Sequence, residues 1–190
     1  MTRPWARLLG LADGFIEEVL RWDAETLRAI SSHPALRPLS RLFVLATYLG
    51  DGYLWGGLAL GLIMFGSAVD RGYVLIGLGV TMVNIAVFRL FKLVFNRPRP
   101  SLVFFGLRSR MIDSYSFPSG HSTISFGLAW AISVCYPNIA VQLAVYAVAI
   151  IIALSRVYMR EHYPLDVICG ALLGSFSAAY TIPIFRGLLF

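Results

Sequence analysis

Polar residues suited to phosphate chemistry recur at the ends of apolar stretches in this sequence. The segment SRVYMREHYPLD, which begins at Ser155, places Arg156, His162 and Asp166 between two apolar runs. Charged groups are costly at such positions, so they indicate a functional site. We expect the Asp166 carboxylate to accept a hydrogen bond from one nitrogen of His162. The other nitrogen is then unprotonated and can act as a nucleophile.

A second polar cluster, KLVFNRPRP, begins at Lys92 and closes an apolar run. Lys92 falls in the last turn of the predicted helix. Arg99 stands between two prolines, which stiffen the backbone and limit the entropy lost on binding. Both residues are candidate phosphate ligands. The alternative is that Lys92 and Arg97 only extend to the membrane interface.

The third cluster, FPSGHS, begins at Phe117 and opens another apolar run. Unpaired N–H groups and the positive dipole end make a helix start an anion site. Ser119 adds a hydroxyl, Gly120 allows close approach to the backbone, and His121 follows in the first turn. The alternative is an ordinary N-cap followed by a histidine with structural contacts.

Together the clusters supply three cations, two hydrogen-bond donors and two histidines. Phosphoryl transfer needs positive charge on the equatorial oxygens and in-line attacking and leaving groups. His162 could attack phosphorus while His121 protonates the leaving oxygen. Asp166 is the only acid in this set, and Asp51 and Asp113 have no acidic neighbours. We therefore predict no metal site and no cofactor.

The composition indicates an integral membrane protein. Of 190 residues, 58% are hydrophobic and 14% charged, whereas soluble domains have roughly 25% charged residues. The net charge is +6, but no interleaved basic and aromatic stripe indicates nucleic-acid binding. Cys135 and Cys169 lie in apolar runs and are interpreted as small buried side chains.

We predict one all-α domain over residues 1–190. Residues 1–35 form an N-terminal segment whose amphipathic helix, 5–31, lies in the membrane interface with Trp5 and Trp22 as anchors. An equally good alternative packs this helix on the protein surface. Residues 36–190 form a polytopic bundle of five transmembrane helices, and a sixth would require 36–50 to cross separately. The predicted spans are 36–68, 72–94, 119–136, 139–157 and 164–186.

The first span is ambiguous. It is either one long tilted helix or a short helix that ends near Gly50, followed by a span over 52–68. Glycines four apart, Gly52 with Gly56 and Gly57 with Gly61, are typical of close helix packing in membranes.

The order of the spans predicts that the three clusters meet. The second span ends at Lys92, the third begins at Ser119, the fourth ends at Arg156 and the fifth begins at His162. In antiparallel helices these four points lie on one face of the bundle.

These residues resemble the three signature motifs of the type 2 phosphatidic acid phosphatase (PAP2) superfamily. The matching patterns are Lys92-x6-Arg99-Pro100, PSGH ending at His121, and Ser155-Arg156-x5-His162-x3-Asp166. The resemblance implies metal-independent dephosphorylation through a phosphohistidine. It also implies that His162 is the nucleophile, that Asp166 orients it, and that His121 is the leaving-group acid. The implied phosphate ligands are Lys92, Arg99, Ser119, Gly120 and Arg156.

The expected substrate is a lipid phosphate or diphosphate, since the site opens at the ends of spanning helices. Phosphatidic acid, phosphatidylglycerophosphate, polyprenyl diphosphate and lipid A are the substrates the resemblance allows. Phe104, Phe105 and Leu107 could form a lipid entry. Three alternatives are a lipid phosphotransferase, a haloperoxidase with the same phosphate cradle, and a non-catalytic lipid-binding or transport protein. The oligomeric state is left open.

The expected location is the bacterial inner membrane, but two signals disagree about the side. Every basic residue except Arg71 and Arg186 falls on the site face. The positive-inside rule would then put the site in the cytoplasm. Family precedent favours the extracytoplasmic face. Arg160 and Glu161 are expected to be solvated turn residues, or to contact the lipid headgroup.

Overall fold

A computed structural model describes the backbone of residues 4–100 and 115–189 and the side chains of 14–100 and 115–189. Regular structure in these ranges is helical, apart from one isolated bridge between Pro98 and Tyr115. This confirms the all-α class for the described residues. The long helices are α1 (Pro4–Ser32), α2 (Ser40–Tyr48), α3 (Leu54–Phe65), α4 (Ala68–Phe95), α5 (Gly120–Cys135), α6 (Ile139–Tyr158) and α7 (Pro164–Leu189).

Three of the described helices, α4, α6 and α7, are long and apolar enough to cross a membrane. They match the predicted second, fourth and fifth spans. Helix α5 has 16 residues and α3 has 12, fewer than the ~20 that an upright helix needs to cross the hydrocarbon core. The count of five spans therefore stays a prediction.

The region predicted as the first span divides into two helices. A π turn, Leu49–Tyr53, joins α2 to α3, and Gly52 within it has a φ of 109°. Only glycine adopts that conformation readily. The division agrees with the alternative in which a short helix ends near Gly50. A 3₁₀ helix, Pro34–Leu39, precedes α2.

Helix α1 packs on the bundle with several apolar side chains turned outward. Phe15, Ile16 and Trp22 are each at least half exposed. Leu27 is buried against α6 and α7, where Ala153, Val157 and Val167 surround it. The exposed face leaves apolar groups available to lipid, and the interfacial position of α1 stays a prediction. The side chain of Trp5 lies outside those described.

The closest helix contact joins α5 to α7 through two glycines. A methyl group on Gly170 would lie 2.6 Å from the backbone oxygen of Ser119, and one on Gly174 would overlap the backbone of Thr123. Backbone approach of this kind requires small residues. The backbone N–H of Ser119 donates to the oxygen of Asp166 at 2.9 Å. The start of α5 and the start of α7 are thereby joined directly.

Among the described residues, the close packing predicted for the glycines of the first span is not found. A methyl group on Gly56, Gly57 or Gly61 would meet nothing within 4 Å. Spacing alone could not distinguish these glycines from Gly170 and Gly174, which have the same separation of four.

We predict that Gly174→Ala lowers the free energy of unfolding by about 2 kcal/mol or more, because the methyl group overlaps the α5 backbone. Gly57→Ala is the matched control and should change it by less than about 0.5 kcal/mol, since nothing lies nearby. Thermal unfolding of both variants in detergent measures the difference. Equal melting temperatures for the two would contradict the packing.

Candidate active site

The three polar clusters meet at one end of a cavity of about 820 Å³. This is the face on which the span order predicted that they would meet. Six of the eight predicted site residues line the cavity, and Ser119 and Asp166 are buried behind its wall. The six are Lys92, Arg99, Gly120, His121, Arg156 and His162.

A tight turn between α6 and α7 delivers His162 to the cavity. Arg160 adopts a φ of 55°, the left-handed conformation that often ends a helix. The backbone oxygen of Arg156 accepts from the N–H groups of Glu161 and His162, at 3.0 and 3.2 Å. The His162 side chain is 1% exposed. Its Nε2 lies 3.2 Å from Nη1 of Arg99.

The surroundings of His162 favour its neutral form. Burial is the main cause that holds the pKa of His162 well below its ordinary value. The cations Arg99, Arg156 and Lys92 lower the pKa further. An imidazole must be unprotonated to attack an electrophile, so these surroundings suit the nucleophile predicted here.

Asp166 lies behind His162 but is engaged by other donors. Its Oδ2 is 3.6 Å from Nδ1 of His162, beyond hydrogen-bond distance. The backbone N–H of Tyr163 donates to the same oxygen at 2.9 Å. Arg97 donates to Oδ1 at 2.7 Å. The structure thus places the carboxylate beside the imidazole but does not show the hydrogen bond predicted between Asp166 and His162.

Arg97 joins two buried carboxylates, one of which the sequence did not reveal. Its other terminal nitrogen donates to Asp23 of α1 at 2.7 Å, and the guanidinium lies over the ring of Tyr163. Asp23 is fully buried and also accepts from the backbone N–H of Leu165 at 2.9 Å. Although burial lowers the pKa of Arg97, Asp166 and Asp23 raise it overall. Arg97 is therefore a charged structural link.

Arg156 is held by partners from two elements. Its Nη1 donates to the hydroxyl of Thr47 in α2 at 2.9 Å, and Nη2 forms an ion pair with Glu161. Glu161 is 3% exposed, so its predicted position in a solvated turn is wrong. Arg160 is half-buried and donates to the Ser31 hydroxyl of α1 at 2.8 Å.

Lys92 and Arg97 are buried or nearly so. This excludes the alternative in which both side chains only extend to the membrane interface. Lys92 is 5% exposed, and its Nζ donates to the backbone oxygen of Tyr115 at 2.9 Å. The Arg97 side chain is 17% exposed. Helix α4 ends one turn after Lys92, where Asn96 adopts the left-handed conformation and turns the chain toward the site.

The start of α5 forms the opposite wall of the site. Ser119 is its N-cap, and the serine hydroxyl accepts hydrogen bonds from the backbone and side chain of Ser122. A methyl group on Gly120 would lie 3.1 Å from the ring of Phe88. The structure therefore gives Gly120 a packing role against Phe88. The close approach of an anion to its backbone stays a prediction.

His121 faces a carboxylate that the sequence analysis left without a role. Its Nε2 lies 2.6 Å from Oδ1 of Asp51, which belongs to the π turn between α2 and α3. A methyl group on Gly50 would lie 3.0 Å from the His121 ring. The position of Asp51 between two glycines was the available signal in the sequence. Its partner His121 is 70 residues away, so local spacing could not indicate the pair.

Comparison with known proteins identifies the family. Residues 72–188 match the model of the PAP2 superfamily. An undecaprenyl-diphosphatase of Sulfolobus acidocaldarius is 27% identical over 172 residues, which are 88% of this chain and 81% of that protein. A lipid A 1-phosphatase of Rhizobium johnstonii is 40% identical over 77 residues, but these are only 40% of this chain and 31% of that protein.

Two solved structures share the fold. The crystal structure of Aquifex aeolicus LpxE superposes with a TM-score of 0.69 at 27% identity, covering 84% of this chain and 94% of that chain. The transmembrane PAP2-type phosphatidylglycerolphosphate phosphatase from Bacillus subtilis gives 0.67 at 22% identity, covering 90% and 86%.

Three helices long and apolar enough to cross a membrane, together with relatives named as lipid phosphatases, define an integral-membrane phosphate hydrolase. The chain belongs to the PAP2 superfamily. The predicted lipid entry at Phe104, Phe105 and Leu107, and the acid Asp113, lie outside the described residues.

We predict that Arg97→Met lowers the free energy of unfolding by about 3 kcal/mol, because it leaves Asp23 and Asp166 buried without their shared cation. Arg21→Met is the matched control. Arg21 forms an exposed ion pair with Glu18, so its loss should cost less than about 1 kcal/mol. Thermal unfolding in detergent tests both, and an Arg97→Met variant as stable as the control would exclude the link.

Proposed function

We propose that the protein is a metal-independent phosphatase that acts on a lipid phosphate or diphosphate through a phosphohistidine. One observation carries this proposal. A buried imidazole, whose surroundings favour its neutral form, and three cations stand at one end of a cavity whose remaining length is mostly apolar. Such a cavity suits a molecule with a phosphate at one end and a hydrocarbon chain at the other.

In the proposed first step, Nε2 of His162 attacks phosphorus and the bond from phosphorus to the leaving oxygen breaks. His121 gives its proton to that oxygen. The lipid then leaves as an alcohol, or as a monophosphate where the substrate is a diphosphate. In the second step His121 takes a proton from water. The resulting hydroxide attacks phosphorus, the phosphorus–nitrogen bond breaks, and inorganic phosphate is released.

The charges near His162 suit a phosphate dianion. Lys92, Arg99 and Arg156 each contribute one positive charge, and Glu161 offsets one of them through its ion pair with Arg156. Two positive charges remain to stabilise the equatorial oxygens in the transition state. Nη1 of Arg99 lies 3.2 Å from Nε2 of His162, the proposed attacking atom.

The apolar part of the cavity supports a long-chain substrate. The cavity follows α4 from Lys92 to Tyr73, a rise of about 28 Å at 1.5 Å per residue. Its walls include Leu58, Leu78 and Leu128, from α3, α4 and α5 respectively. The names of the relatives, undecaprenyl-diphosphatase and lipid A 1-phosphatase, support a lipid with long chains. For a bacterial inner membrane, family precedent favours a site on the extracytoplasmic face, whereas the distribution of basic residues favours the cytoplasmic face.

We predict that His162→Ala abolishes phosphate release from a lipid phosphate, while the wild type remains active in EDTA. His33→Ala is the matched control, because His33 lies outside the cavity and its imidazole accepts a hydrogen bond from the backbone N–H of Ala35. Brief reaction with radiolabelled substrate and denaturation in alkali should trap label on the wild type and on His33→Ala but not on His162→Ala. Full activity in His162→Ala, or strict metal dependence, would overturn the mechanism.

We predict that the acid limb of kcat/KM lies below pH 6.5, the ordinary pKa of histidine, because His162 must be neutral to attack and its pKa is lowered. Arg99→Gln removes one of the cations that lower this pKa. It should move the acid limb to higher pH, besides reducing kcat/KM. Rates measured from pH 4 to 9 give both limbs. An acid limb that does not move in this variant would contradict the assignment to His162.

A further inference from the structure

The π turn between α2 and α3 presents an acid to the site. This turn is a local departure from α-helical hydrogen bonding, a feature that often occurs at functional sites. Gly52 supplies the positive φ that the turn needs. Gly50 allows close approach to Ile152 and His121, because a methyl group there would lie 2.8 and 3.0 Å from them. Asp51 stands between these two glycines.

The position of Asp51 answers an electrostatic problem at His121. A leaving-group acid must carry a proton when the substrate binds. Positive neighbours disfavour the protonated form of an imidazole, whereas a carboxylate favours it. Among the described residues, the titratable and charged groups that line the cavity around His121 are Tyr48, Asp51, Tyr53, Lys92, Arg99, Arg156 and His162. Asp51 is the carboxylate of this set.

We propose that Asp51 is a positioning residue that keeps His121 protonated and oriented as the leaving-group acid. The distance of 2.6 Å between Oδ1 and Nε2 is that of a charge-assisted hydrogen bond. Asp51 holds the proton on Nε2, and the proton on the other ring nitrogen goes to the leaving oxygen. His121 is then neutral and takes a proton from the water that hydrolyses the phosphohistidine.

This inference rests on the proposed function, but it concerns only the protonation of the leaving oxygen. His162 is needed for every substrate, because it forms the bond to phosphorus. A proton on the leaving oxygen is needed only when the leaving group is a poor one, such as an alkoxide. An activated aryl phosphate releases a stable phenolate and needs little help from an acid.

The test therefore compares dodecyl phosphate with p-nitrophenyl phosphate on purified full-length protein in detergent. Asp51→Asn should lower kcat for dodecyl phosphate about 100-fold and for p-nitrophenyl phosphate less than about 5-fold, in keeping with general-acid catalysis. The basic limb of its kcat profile should move to lower pH. Asp51→Glu retains the carboxylate and should hold that limb near the wild-type position. Glu18→Gln, an exposed acid-to-amide change, is the control.

A double-mutant cycle excludes a merely structural effect. In a His121→Gln background, Asp51→Asn should cause no further loss on dodecyl phosphate, because the acid through which it acts is gone. Equal losses on the two substrates, an unmoved basic limb, or additive losses in the cycle would each overturn the role of Asp51. His162→Ala distinguishes this result from failure of the proposed function, since that variant should lose activity on both substrates.

Discussion

The close approach of α7 to α5 is the contact on which the site depends. Gly170 and Gly174 let the two backbones meet, and the N–H of Ser119 donates to the backbone oxygen of Asp166. The two histidines follow from this contact, since His121 opens α5 and His162 directly precedes α7. A wider separation of the two helices would move the histidines apart. The distance between two helix axes therefore sets the distance between the two proposed reacting groups.

Buried ion pairs surround this contact, and each one holds a predicted site residue in place. Arg97 links Asp23 to Asp166, while Glu161 holds Arg156. Buried charges destabilise a fold unless they are paired and hydrogen-bonded. Their presence here is understandable, because the proposed site for a phosphate dianion needs several cations in a fixed geometry. The anions Asp23, Asp166 and Glu161 make such a concentration of positive charge compatible with folding.

Much of the site could be predicted from the sequence, because its residues lie at helix ends. Antiparallel helices bring alternate ends to one face, so the positions of Lys92, His121, Arg156 and His162 along the chain already implied that they meet. No knowledge of packing angles was needed. The all-α class followed in the same way, from long apolar runs separated by short polar segments.

The charged residues that hold the site in place could not be predicted in this way. Asp23, Asp51 and Glu161 are single acids without a local pattern, and the partners of Asp23 and Asp51 are 74 and 70 residues away. Such pairs depend on how helices rotate and tilt, which hydrophobic spacing does not determine. The same limit explains the glycines. Gly56, Gly57 and Gly61 have the spacing of a packing motif, yet only the tertiary structure shows that Gly170 and Gly174 form the contact.

The position of Asp23 has a consequence for the order in which the protein can be assembled. Helix α1 is synthesised first, but the groups that bind Asp23 come much later, at Arg97 and at Leu165, which is 142 residues further along. Until both have emerged, the carboxylate of Asp23 must stay in water, because burying it alone would be very unfavourable. Docking of α1 is therefore one of the last events of biogenesis. A chain interrupted before His162 would lack the proposed nucleophile and would also have an N-terminal helix that cannot dock.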